Sequence, residues 1–220
     1  MGEDGLFKKY LTVGEWKLWR SLTSPLEIQN FLDRLAYSSE EIYRSPLRVV
    51  REKRAHCFDG AILAAAALRR CGYPPIILEL LPNGRDDEHL LAIYKNGGCW
   101  GAVGKSNFVG LRYREPVYRT LRELVMSYFE QYYNVKREKT LRGYTHPLDL
   151  RIFDKFGWLV NDEALNRISL RLDQMRKNFI LSSQMSPTLS LVDERSFQAG
   201  LLEADARGLF QPEGKRKRTL

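Results

Sequence analysis

Three cysteines and three histidines hold most of the nucleophilic and proton-transfer chemistry open to this 220-residue chain. Cys57 stands first in Cys57-Phe58-Asp59-Gly60-Ala61-Ile62-Leu63, followed by Ala64 to Ala67 and Leu68. A helix beginning there would set the thiol among the unpaired amides and the positive dipole end of a helix N-terminus, which favour a thiolate. The same amides can donate to the oxyanion of an acyl transfer. His89 follows after a helix, a turn, a strand and a loop, a path that can bring it back beside Cys57. An imidazole within hydrogen-bond reach of a thiol holds the thiolate and passes the proton to the leaving group. The plainer readings are that Cys57 is a small core residue and that His89 is a polar residue at a strand mouth, paired with Asp86, Asp87 or Glu88. His56 adjoins Cys57, but neighbours in sequence usually point apart, so it reads as structural. The cysteines and histidines lack the close spacing of zinc ligands, and no metal or organic cofactor is implied.

The elements that must position these groups are legible from periodicity and punctuation. Ser24-Pro25-Leu26-Glu27 is a helix start with a cap, a first-turn proline and a capping-box glutamate. Ile28, Phe31, Leu32 and Leu35 then give one buried stripe over residues 25–36. Trp16 and Trp19 anchor an N-terminal helix upstream. The helix from Cys57 to Cys71 is apolar nearly all round, so it is central, with Arg69, Arg70 and Gly72 closing it. Tyr73-Pro74-Pro75 forces an extended exit into the strand 76–81. A second strand starts at His89, and Asn96-Gly97-Gly98 signals a hairpin returning through Cys99 to Gly104. Further helices are expected over 119–133 and from 161 to about 178. Residues 183–220 read as a basic, flexible tail, with room for one weak docking helix through Phe197, Leu201 and Leu202.

A cysteine opening an alanine-rich helix, a Gly72-Tyr73-Pro74-Pro75 exit into a strand, and a strand-borne His89 before the hairpin with Trp100 resemble the transglutaminase-like superfamily. The matching segments are Ala55 to Leu80 and Glu88 to Gly104. The block Cys99 to Phe108, with Arg112-Tyr113-Arg114-Glu115-Pro116, is also similar to an uncharacterised bacterial group with this core. The resemblance implies an α+β, papain-like fold in which the cysteine helix packs on an antiparallel sheet. It also implies a Cys-His-Asp triad, with Cys57 and His89 as the first two members. The domain would run over residues 1–182, including the N-terminal helical region.

The family's aspartate falls here at Gly104. If Asn96-Gly97 is a two-residue turn, His89 opposes Gly104; if Asn96-Gly97-Gly98 is the loop, His89 opposes Lys105 and Asn107 lies one diagonal away. An amide can orient a histidine as a carboxylate does, which makes Asn107 the first choice, with Ser106, Asp86 or Asp87 behind it. Tyr94 and Trp100 either line the cleft or pack as core. The implied chemistry is attack on an amide or ester carbonyl, as a hydrolase or an acyltransferase with a protein or peptide substrate. The competing expectation is an inactive member of the same fold that serves as a binding module.

Composition narrows the class. Hydrophobic residues make up 44% of the chain, which excludes a largely disordered protein. No apolar run approaches a membrane span, and Met1 to Tyr10 has no secretion-signal pattern, so a cytoplasmic protein is expected. Three cysteines are too few for a disulfide framework. The net charge of +8 is concentrated in Lys215 to Arg218 and in Arg44, Arg48, Arg51, Lys53 and Arg54. Such a balance suits nucleic acid or an acidic partner, but a solvated face and a basic tail are the preferred reading.

Overall fold

The computed structural model describes residues 3–212, so the basic run Lys215 to Arg218 lies outside the described residues. The chain opens with α1 (Glu3–Lys8), α2 (Val13–Ser21), α3 (Pro25–Asp33), β1 (Ala36–Tyr37), α4 (Pro46–Glu52) and β2 (Arg54–Ala55). The central stretch is α5 (Cys57–Arg70), β3 (Ile76–Pro82), β4 (His89–Asn96), β5 (Cys99–Val103) and β6 (Arg114–Tyr118). After it come α6 (Leu121–Met126), β7 (Leu141–Thr145), β8 (Leu148–Asp149), α7 (Glu163–Asp173), β9 (Lys177–Phe179) and α8 (Glu194–Gly200). Among the described residues no helix is long and apolar enough to cross a membrane.

The fold is mixed helix and sheet. Seven antiparallel-paired strands run in the order β6-β5-β4-β3-β7-β9, with β8 also pairing β3. Strand alternation gives the sheet two buried faces. Leu90, Ala92 and Tyr94 of β4, with Val103, pack against the α5 side. Leu91 and Ile93 of β4 face the other way, onto Leu124, Val125, Tyr128 and Tyr132.

α5 forms as its sequence dictates. Its residues from Cys57 to Leu68 are all buried, and the four alanines allow close approach to the sheet. Gly60 is required by such an approach, since a Cβ there would stand 2.4 Å from the Cβ of Lys105. The far end is a Schellman cap: Tyr73 N–H donates to Leu68 O and Gly72 N–H to Arg69 O, both at 3.0 Å, with Gly72 at φ +91°. The near end is anchored by buried Asp59, which accepts from the His56 amide at 3.1 Å and the Arg44 amide at 2.9 Å. The guanidinium of Arg44 is buried against Asp59, Ser38 and Glu52.

Four expectations need correction. The hairpin turn is Gly97-Gly98, because Asn96 pairs with Cys99; both glycines have positive φ, as a type I′ turn demands. Neither expected register is therefore the observed one. The helix expected over 119–133 stops at Met126 and gives way to a 3-10 turn at Phe129–Gln131. The helix from residue 161 ends at Asp173, and its expected last turn is instead β9, which pairs with β7. The described part of the expected tail is docked: Val192 is buried, and Tyr133 donates to Ser196 O at 3.0 Å.

Candidate active site

Cys57 is the first residue of α5, after His56 as an extended N-cap at φ −84° and ψ 174°. The first intrahelical bond runs from Gly60 N–H to His56 O at 2.9 Å, so the amides of Cys57 to Asp59 precede the helix ladder. Sγ of Cys57 lies 3.4 Å from Nδ1 of His56 and 3.7 Å from the carbonyl oxygen of Glu88. A small pocket of about 50 Å³ opens there, lined by Cys57, His56, Asp86, His89, Asn107 and Tyr132 among others. Cys57 and His89 thus share one pocket.

His89 is buried and, through its pairing with Leu80, lies on the sheet face opposite α5. It lines the same pocket as the thiol, whose own hydrogen-bond contacts are with His56 Nδ1 and Glu88 O. Its Nε2 is 2.7 Å from the Leu111 carbonyl. A carbonyl can only accept, so Nε2 carries the hydrogen and the neutral ring keeps its lone pair on Nδ1. Leu111 is itself fixed by a 3-10 turn, its amide donating to Phe108 O at 3.2 Å.

The nitrogen expected to face Asn107 therefore faces a backbone carbonyl. Asn107 lines the pocket, but its amide is taken: Nδ2 donates to Asp205 O and Oδ1 accepts from Asp205 N–H, both at 2.8 Å. Ser106 caps the same loop, accepting from Phe108 N–H at 3.0 Å. Gly104 sits where a side chain would crowd Leu91, since a Cβ there would lie 2.8 Å from Leu91 Cδ2, while His89 Nε2 would be in ordinary contact at 3.5 Å. Its backbone is held reciprocally by Gln29, at 3.1 Å and 3.0 Å. Buried Lys105 ties the loop to the end of α3, donating to Leu32 O at 2.9 Å and Leu35 O at 2.6 Å. Desolvation lowers its pKa.

Residues 132–140 hold the acidic loop. Tyr132 donates to Asp87 O at 2.6 Å, and Asn134 Nδ2 to Arg85 O at 3.0 Å. The Thr140 hydroxyl donates to Asp86 at 2.5 Å. Burial pushes the Asp86 carboxyl up to about 6, a rise that the Thr140 bond partly offsets. Tyr132, also buried, has its phenol pushed well above the ordinary range, first by desolvation. Neither Tyr94 nor Trp100 lines the Cys57 pocket: Tyr94 is in the core, lines a second pocket and bonds Tyr113 at 3.1 Å, and half-buried Trp100 packs on the Leu91 side of the sheet with Lys95 over its ring at 5.4 Å.

No family model matches the chain, and no curated protein matches it. Among solved structures it is similar to LapG of Legionella pneumophila, at 15% identity over 47% of this chain and 68% of that one, with a TM-score of 0.36. The calcium-bound form of LapG overlaps 46% of this chain, also at 15% identity, with a TM-score of 0.35. Likeness of that degree carries no weight for the fold or the chemistry of this chain. Among the described residues, no group of three or more His, Cys, Asp or Glu side chains converges as a metal site.

Sequence reasoning set aside His56 and had no handle on Tyr132 or the Leu111 carbonyl. The signal for His56 was available. Side chains of adjacent residues diverge inside a helix, but an extended N-cap folds its side chain back over the first turn.

Proposed function

We propose that the chain is a transglutaminase-like cysteine enzyme that transfers acyl groups from an amide or ester carbonyl through a thioester on Cys57. The carrying observation is the shared pocket: a thiol at the start of buried α5 and an imidazole whose Nε2–H is bound to Leu111 O. Nδ1 of His89 would take the thiol proton and return it to the leaving amine. The first amides of α5 would donate to the oxyanion. Water or an amine then resolves the thioester, giving a hydrolase or a transferase. Leu111 O would do the orienting work that a carboxylate or amide does elsewhere, without adding charge.

Gly104 at the place of the expected aspartate favours one other reading, a fold of the same kind that binds without chemistry. Site-resolved mass spectrometry after brief iodoacetamide treatment separates the two. The enzyme reading expects Cys57 to be carbamidomethylated ahead of Cys71 and Cys99, and more slowly in His89→Ala. An inert Cys57 beside a labelled Cys71 or Cys99 would remove the nucleophile.

A further inference from the structure

One wall of the Cys57 pocket belongs to the chain's own C-terminal stretch. Past α8 the backbone passes through Glu203 at φ +60°, a left-handed conformation unusual for glutamate. It then turns so that Gly208 and Phe210 line the pocket. The grip is on main chain. The Asn107 carboxamide bonds both the N–H and the C=O of Asp205, at 2.8 Å each, while the Asp205 carboxylate turns away to Arg207. An amide holding both polar groups of one residue reads backbone rather than side chain, because every residue except proline offers that pair. Three residues on, Gly208 lies against Tyr37, where a Cβ would meet the ring at 2.5 Å and 2.6 Å. Tyr37 in turn packs on His56, with centroids 5.7 Å apart. None of residues 201–212 is fully buried, and Leu202 is 68% exposed. Both residues that grip the segment, Asn107 and Tyr37, line the pocket that Cys57 lines.

We propose that Tyr37 and Asn107 form a main-chain-binding subsite for a tightly turned polypeptide, occupied in this structure by Ala204 to Phe210, whose 3-10 turn at Ala206–Gly208 is closed by Gly208 N–H donating to Asp205 O at 2.9 Å, as a self-ligand. The subsite selects a small residue three places after the one that Asn107 holds, because Tyr37 leaves no room for a Cβ there. The proposal rests on Cys57 as nucleophile only for reading a bound peptide as substrate. A tethered segment acts at high effective concentration, so a substrate peptide competes poorly until the tether is loosened.

The test uses the full chain carrying Gly208→Val, which lies outside the catalytic groups and cannot sit against Tyr37. The probe is a fluorescein-labelled synthetic peptide with the sequence of Leu201 to Pro212, followed by anisotropy. In parallel, the rate of Cys57 alkylation by iodoacetamide is read by mass spectrometry. The expected result is saturable peptide binding to Gly208→Val, much weaker binding to the unmodified chain, and loss of binding when Asn107→Ala is added. Alkylation should quicken by about thirtyfold, the scale of two lost hydrogen bonds. If Gly208→Val fails to give a cooperative melt, Phe210→Ala replaces it with the same expectations. Absence of peptide binding to a folded variant overturns the subsite, even if Cys57 reacts. Binding with an inert Cys57 keeps the subsite and removes the nucleophile instead.

Discussion

Asp86 offers a sharp test of the electrostatics around the pocket. Its half-buried carboxyl is pushed up to about 6 by desolvation, from 3.8 for the free group. A raised carboxyl favours the folded state fully below the unfolded value, and that advantage is lost as pH climbs through 6. At about 1.4 kcal/mol per pH unit, the gap corresponds to about 3 kcal/mol withheld from stability at neutral pH. Asp86→Asn removes the charge and keeps the shape. Its Oδ1 can accept from Asp87 N–H, as Asp86 does at 3.0 Å, and the Thr140 hydroxyl can turn from donor to acceptor. Urea unfolding of both proteins at intervals from pH 4 to pH 8 is the assay. The variant should match the parent near pH 4 and exceed it by up to about 3 kcal/mol at pH 8, with the difference opening between 4 and 7. A difference that does not vary with pH, or a variant less stable at pH 8, would refute the reasoning.

Two further outcomes follow from packing. Gly60→Ala drives a Cβ to 2.4 Å from Lys105, whose Nζ is anchored at Leu32 O and Leu35 O, and should cost about 1–3 kcal/mol by overpacking in a urea melt; a change below about 0.5 kcal/mol would contradict that contact. A chain ending at Leu181 loses buried Val192 and the Tyr133–Ser196 bond, so its Tm should fall by roughly 6 °C, the equivalent of about 2 kcal/mol. An unchanged Tm would restore the expectation of a dispensable tail.

The elements around the thiol were legible because local rules decide them. The proline at Pro25, the alanines of α5 and the left-handed cap at Gly72 each leave the chain one economical conformation, and the elements appear where they predict. The hairpin register was not legible to one residue. Asn96-Gly97 and Gly97-Gly98 both satisfy a type I′ turn, and only burial of Val103 with Ala92 on one face and Ala102 with Ile93 on the other selects between them. β7 and β9 escaped notice because Arg142, Lys177 and Asn178 break the apolar alternation at the sheet margin. A docking helix near Phe197 was legible, but the contact beyond it was not, because it runs through Asp205 main chain and Gly208 and not an apolar stripe. Within the site, side-chain types can nominate Cys57 and His89. A backbone acceptor such as Leu111 O has no sequence signature at all.

A thioester on Cys57 can be seen by trapping the acyl-enzyme. The full chain is mixed with an activated ester of an acetylated dipeptide, quenched in acid, digested and read for acyl mass on each cysteine. An acyl adduct that hydroxylamine removes should form on Cys57, be absent in Cys57→Ser and form about a hundredfold more slowly in His89→Ala. Equal acylation of Cys57, Cys71 and Cys99, or a Cys57 rate untouched by His89→Ala, would contradict that chemistry.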